Sequence, residues 1–194
     1  MGTIKKALPV KLISGLIYTE EEIVNNAKER LIERFGAIDS ESQTIPFDFT
    51  TYYEEEMGKE LKRRFISFAS LIDIETLPEI KIFTNQVEED FCFPNTEKRR
   101  INIDPGYIAP EKLVLATTKN YDHRPYLQKG IYAEVTYRFH KRSFEVLEWT
   151  YPDYKIPESI STFNAMRKIY MEQLQTVKAS KELSQTTHPK EALS

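Results

Sequence analysis

Nine residues near the start, Val10-Lys11-Leu12-Ile13-Ser14-Gly15-Leu16-Ile17-Tyr18, constrain the fold more than any other stretch. Alternate residues of a strand face opposite ways, and here Val10, Leu12 and Leu16 fall on one side while Ile13 and Ile17 fall on the other. A strand apolar on both sides belongs deep in a sheet. A helix should follow it. Thr19-Glu20-Glu21-Glu22 has capping-box spacing, Ile23, Val24, Ala27, Leu31, Ile32 and Phe35 recur at helical intervals, and Gly36 offers a left-handed stop.

The remaining segments mix strands and helices without the regular alternation of a parallel doubly wound sheet. Residues 43–49 set Ile45, Phe47 and Phe49 against Thr44, Pro46 and Asp48, a pattern suited to an edge strand because Pro46 lacks a ladder donor. Leu61, Arg63, Phe65 and Ser67 predict a strand within 59–70. Thr76-Leu77-Pro78-Glu79 opens a second helix with Ile80, Phe83, Val87 and Phe91 on one stripe. Arg99–Asp104 alternates as a strand, and Pro105-Gly106 has the chemistry of a type II turn that would end it at Asp104. Pro110–Lys119 reads as a short helix. Ile131–Phe139 reads as a strong strand, its Ile131, Ala133, Val135, Tyr137 and Phe139 opposite Tyr132, Glu134, Thr136, Arg138 and His140. His140–Ser143 should turn it back into Phe144–Trp149. A last helix from Pro157 aligns Ile160, Phe163, Arg167, Tyr170 and Leu174, and no stripe continues beyond Lys178. The expected architecture is a single α+β domain over 8–177 with a mainly antiparallel or mixed β-sheet and about three main helices, followed by a flexible tail over 178–194.

Composition narrows the function. Of 194 residues, 40% are hydrophobic and 12% aromatic, enough for one folded core. With 27 Lys+Arg against 30 Asp+Glu, the net charge of -3 gives no strong nucleic-acid signal. The single Cys92 can make neither an internal disulfide nor a thiolate metal cluster, which suits a reducing cytoplasm. No secretory h-region follows the start, and Leu12–Tyr18 is far shorter than the ~20 apolar residues of a membrane span. The expectation is a cytoplasmic protein, monomeric or weakly associated, with no membrane partner. The six glycines are scattered, so phosphate-cradling loops are missing, as are His-Glu-x-x-His, Gly-x-Ser-x-Gly and Cys-x-x-Cys. No cofactor and no metal can be named from these residues.

Four clusters remain. Pro46–Gly58 surrounds Asp48 with aromatics and brings up Glu54 and Glu56, either a solvated acidic run or a site in which Asp48 and Glu54 or Glu56 hold a metal or a cationic ligand group. Tyr121–Glu134 gathers His123, Arg124, Lys129, Tyr132 and Glu134: a proton carrier, two cations and a carboxylate suited to a small anionic molecule, or a turn with structural ion pairs. Asp104 either caps its own turn or joins a cleft. Trp149–Tyr154 either stacks a planar ligand or covers the sheet edge.

Taken in order, Pro9–Leu12, Phe47-Asp48-Phe49-Thr50, Asp104-Pro105-Gly106-Tyr107, His123-Arg124, Gly130–Val135 and Trp149–Tyr154 resemble a bacterial family known only as domain of unknown function 4416. The resemblance spans roughly residues 8 to 175 and implies a small bacterial, cytoplasmic protein, without an activity to carry over. Three functions stay open. An enzyme would use His123, Glu134 and Asp104 catalytically while Arg124, Lys129, Asp48, Tyr132 and Trp149 hold an anionic substrate. A binding module would hold a nucleotide-like ligand with the same groups. An interaction domain would tie its charges into salt bridges beside an aromatic surface. On the first two readings, Arg124 or His123 reaches Glu134 or Asp104, and Arg124→Ala or Glu134→Gln abolishes binding while sparing the fold.

Overall fold

Val10–Tyr18 forms β1, buried along its whole length and paired antiparallel on both edges, as its two apolar faces require. From it the chain runs through α1 (Glu21–Phe35), β2 (Ile38–Glu41), β3 (Ile45–Pro46), α2 (Glu54–Met57), β4 (Lys62–Ile72), α3 (Leu77–Asp90), β5 (Ile101–Ala109), β6 (Lys112–Thr117), β7 (Tyr126–Gln128), β8 (Ile131–His140), β9 (Ser143–Val146), α4 (Pro152–Lys155) and α5 (Pro157–Thr186). This computed structural model describes residues 2–186. Nine strands form one antiparallel sheet in the order β2-β4-β1-β5-β6-β8-β7, with β3 added on β4 and β9 on β8. The α+β architecture and its three main helices, α1, α3 and α5, agree with the sequence reading.

Each face of the sheet has its own cover. Leu12, Leu16 and Tyr18 meet Val24, Ala27 and Leu31 of α1 and Ile80 and Val87 of α3. Ile13, Phe65, Leu113 and Tyr137 meet Phe163, Met166, Tyr170 and Leu174 of α5 on the opposite side. At ~1.5–3 kcal/mol per large apolar side chain fully buried, these two layers supply the main stabilisation. Lys11, inside β1 and fully buried, is tolerated because its ammonium donates to Asp39 Oδ2 (2.6 Å), the Phe68 carbonyl (3.0 Å) and Gln173 Oε1 (3.0 Å), using all three N–H bonds.

Several local expectations are corrected. α1 begins at Glu21 with Glu20 at its N-cap and no side-chain cap bond, so Thr19 lies one residue too early. The strand expected over 43–49 shrinks to Ile45–Pro46, because β4 starts at Lys62 opposite Pro46 and only the Phe47 N–H finds a further partner, the Leu61 carbonyl at 2.7 Å. Pro105-Gly106 does not turn the chain. β5 runs through both, β6 begins to pair only at Gly106, and a Cβ on Gly106 would stand 2.3 Å from the Val114 carbonyl. The glycine therefore serves the close approach of a neighbouring strand.

The helix expected over 110–119 is instead β6, reached through a tight Pro110-Glu111 connection. Leu113-Val114-Leu115-Ala116 is a strand buried on both sides, which periodicity alone cannot separate from a buried helix. In β8, Val135 pairs with Val114 but Tyr137 pairs with Leu113, so Thr136 is an extra residue and the alternation reverses across it. Ile131, Ala133 and Val135 accordingly join one face, whereas Tyr137 and Phe139 join the α5 face. The tail expected over 178–194 overlaps the end of α5, which runs to Thr186, and 187–194 lie outside the described residues. Among the described residues no helix is long and apolar enough to cross a membrane.

Candidate functional site

α5 covers only part of its face. Beyond it, Ile17 of β1, Arg63 of β4, Asp104 of β5, Leu115 of β6 and Glu134 of β8 form a floor beneath three segments, 47–53, 117–124 and 149–154. They enclose a cavity of about 520 Å³ walled by Phe47, Phe49, Tyr52, Tyr53, Tyr121, Trp149, Tyr151 and Tyr154. Phe47 is anchored under this wall with Ile17, Met57 and Leu61, so the roof has a small core of its own.

Arg63 sets the floor. It lies on the cavity side of β4 among Phe65 and Ser67, and Gly15 makes room for it: a Cβ there would stand 2.6 Å from Arg63 Nη2 and 2.8 Å from the Tyr154 hydroxyl. The buried guanidinium donates from Nη2 to the Tyr154 hydroxyl (2.8 Å) and from Nη1 to Asp104 Oδ2 (3.3 Å). It also lies over the Phe65 and Tyr154 rings, 4.8 and 5.0 Å from their centroids. Its Nε is 3.0 Å from Asp153 Oδ2, an ion-pair distance, but the N–H is not aimed at that oxygen and has no acceptor among the described residues. Burial opposes the Arg63 charge, yet Tyr154, Asp153 and Asp104 outweigh it and hold the pKa above the ordinary arginine value. Burial moves Asp153 the other way, raising its carboxyl pKa despite Arg63.

Asp104 is held from below. Asn102 Nδ2 donates to Asp104 Oδ2 at 2.9 Å, while Arg99 Nη1 donates to Asn102 Oδ1 at 3.0 Å and to Glu88 Oε2 at 2.6 Å. Arg99 also forks onto Glu56 of α2, Nε to Oε1 at 2.6 Å and Nη2 to Oε2 at 2.8 Å, and these bonds keep the Glu56 carboxyl below the usual range. Burial raises Glu88 instead, against the pull of Lys81 and Arg99. One polar chain thus runs from α2 and α3 to the cavity floor.

At the opposite wall, Glu134 Oε2 accepts from Arg124 Nε (2.8 Å), lies 2.6 Å from Arg124 Nη2 and 3.2 Å from His123 Nε2. The Glu134 side chain is 2% exposed and that of Arg124 4%. Arg124 donates further to the Lys119 carbonyl and the Tyr151 hydroxyl, and its guanidinium covers the Tyr121 ring at 4.5 Å. Burial, with Glu134 nearby, pushes the Tyr151 hydroxyl up to about 12. The His123 ring lies between Tyr121 and Trp149, with centroids 6.1 and 4.9 Å away, and its Nδ1 is 3.0 Å from Asp122 Oδ1. At the mouth, Lys119 Nζ donates to the Tyr52 hydroxyl at 3.0 Å and sits 4.2 Å over its ring.

Of the residues singled out from sequence, Asp104, His123, Arg124, Glu134 and Trp149 line this cavity. Lys129, Asp48 and Tyr132 do not. Lys129 turns the β7–β8 hairpin at φ 54° and pairs with Glu79 of α3 at 3.0 Å, away from the cavity. Asp48 is exposed between two inward phenylalanines, and Tyr132 packs edge-on against Tyr126 at the sheet border. Sequence reasoning missed Arg63, although an arginine on an otherwise buried strand face is itself a signal, because such a charge needs partners. It also missed Lys119 and the role of Asn102, whose neighbours come from distant segments. Among the described residues, no three His, Cys, Asp or Glu side chains are grouped to hold a metal ion.

Fold and cavity define the class: an antiparallel α+β protein with an aromatic-walled cleft over a charged floor on one sheet face. The chain belongs to the family described as Domain of unknown function (DUF4416), whose model matches residues 8–170. No curated protein and no solved structure matches it.

Proposed function

We propose that the cavity binds a small, flat anionic molecule of nucleotide-like shape. The observation that carries this reading is the wall: aromatic rings from three separate segments surround about 520 Å³, within the ~300–1,000 Å³ of small-molecule sites. Rings favour a planar guest through stacking worth ~0.5–1.5 kcal/mol per pair beyond area burial. Lys119 supplies the charge for an anionic group, because its ammonium is at the mouth on an exposed tyrosine, whereas Arg63 and Arg124 are tied to carboxylates.

A thermal-shift series with inosine monophosphate, adenosine monophosphate, ribose 5-phosphate and citrate tests it, since a ligand specific to the native state raises apparent stability. A nucleotide should raise Tm, and Lys119→Ala and Tyr52→Ala should weaken that rise with little change in the unliganded protein, both residues being exposed. If none of these compounds shifts Tm, the reading fails.

One observation favours a catalytic version of the same site. His123 bridges the carboxylates of Asp122 and Glu134 while lining the cavity, an arrangement able to move a proton to or from a bound molecule, and Asp104 lines the same cavity. Chromatography of the bound nucleotide after incubation distinguishes the versions: turnover lost in His123→Ala while binding persists supports catalysis, and unchanged nucleotide supports binding alone.

A further inference from the structure

We propose that the cavity recognises a single anionic group, held by Lys119 at the mouth, so that its ligand is a monophosphate and longer phosphate chains gain nothing. The inference rests on the nucleotide-like reading above and deepens it.

Leaving His123 aside, three cations line the cavity, Arg63, Lys119 and Arg124, against three carboxylates, Asp104, Glu134 and Asp153. Their charges cancel. Both arginines are buried against carboxylates: Arg63 donates to Asp104 and lies beside Asp153, and Arg124 donates to Glu134, with further bonds to the Lys119 carbonyl and the Tyr151 hydroxyl. Each is already neutralised. Lys119 is different, because its exposed ammonium donates to the Tyr52 hydroxyl and has no ion pair among the described residues, which leaves N–H bonds for one incoming anion. Glu56 feels the Lys119 charge, but that carboxylate is held by Arg99 through both Nε and Nη2.

The floor disfavours an anion. Both donors to Asp104, Arg63 Nη1 and Asn102 Nδ2, bond to Oδ2, so Oδ1 keeps its lone pairs without a donor among the described residues, and the side chain is 29% exposed. A phosphate there would meet a like charge with little water to screen it. The charged group therefore stays with Lys119 while the uncharged ring enters among the aromatics. A second phosphate finds no further free cation in the lining. Outside, the depression that shares His123 and Trp149 with the cavity is otherwise lined by Asp122 and Glu148, with Lys155 donating to the Glu148 carbonyl, so it is acidic on balance. The chain as a whole, at -3, does not draw in added negative charge either.

The test is calorimetric titration of the full chain with inosine and its mono-, di- and triphosphates, repeated with the adenosine series, each with and without magnesium chloride. The first phosphate should tighten binding by about tenfold, the scale of one hydrogen bond to a charged group. The second and third should add no more than about threefold between them. In Lys119→Ala the nucleoside and its monophosphate should bind within about twofold of one another, and Lys119→Arg, which keeps the charge, should restore the difference. A triphosphate that binds more than about threefold tighter than the monophosphate, or a first-phosphate gain that survives Lys119→Ala, overturns the single-anion assignment and leaves the nucleotide-like reading standing. Absence of binding by every nucleoside and nucleotide in both series overturns that reading and this inference with it.

Discussion

Arg124 and Glu134 show how burial changes what a charged residue can be expected to do. On a solvated strand face, removing either would spare the fold, which is the expectation drawn from sequence. Both are buried here, with Arg124 Nε and Nη2 converging on one Glu134 oxygen. Breaking such a pair from one side leaves a buried charge behind, at about 3–5 kcal/mol, whereas replacing both by apolar groups of similar volume is often neutral. Arg124→Ala or Glu134→Gln should therefore lower unfolding stability markedly, and Arg124→Met with Glu134→Leu together should lower it less than the sum of the single changes. Urea unfolding of the four proteins measures this. Single variants within about 0.5 kcal/mol of the parent would show that the pair is not structural.

At the scale of elements, α2 is a single turn that carries the 47–53 wall to β4, and its attachment is ionic. Glu56 of α2 accepts both arms of Arg99, next to β5, and that bonding lowers its carboxyl pKa in the folded chain. A carboxylate with a depressed folded pKa adds stability above its unfolded pKa, ~4.3 for glutamate, and loses it as pH falls through the lower folded value. Partial exposure of both partners keeps the contribution modest. Glu56→Gln should thus melt below the parent at pH 7, with the gap closing as pH drops below about 4. Parallel Tm-versus-pH curves would refute the assignment. Local sequence made some elements readable and not others for physical reasons. β1 announces itself because both its faces are apolar. β6 does not, since four consecutive apolar residues suit helix and strand alike. The reversal at Thr136 depends on Leu113 and Val114 of another strand, so no local pattern could show it.

For the whole molecule the same division holds between a frame and a rim. The frame is the sheet with α1, α3 and α5, whose hydrophobic faces are legible in sequence because they obey the periods of strand and helix. The rim is made of 47–53, 117–124 and 149–154, and its site arises from residues more than a hundred positions apart, as Tyr53 and Tyr154 are. Sequence could nominate Asp104, His123, Arg124, Glu134 and Trp149 by chemistry, but not the burial that ties Arg124 down or the partners that leave one Asp104 oxygen open. The two parts should also differ in stability. β1 amides are paired across both neighbours, so they should exchange with solvent only through global opening, while rim amides rest on isolated bonds such as Arg124 N–H to the Tyr121 carbonyl and Thr150 N–H to the Leu147 carbonyl. Hydrogen exchange followed by mass spectrometry should find rim peptides labelled much sooner than β1 peptides in the free protein. With inosine monophosphate present, added protection should concentrate in the three rim segments and spare α1, which lies on the opposite face. Equal labelling of rim and β1 in the free protein would mean the roof is as firmly held as the frame. Protection confined to α1 would place the nucleotide on the wrong face of the sheet and remove the cavity as its site.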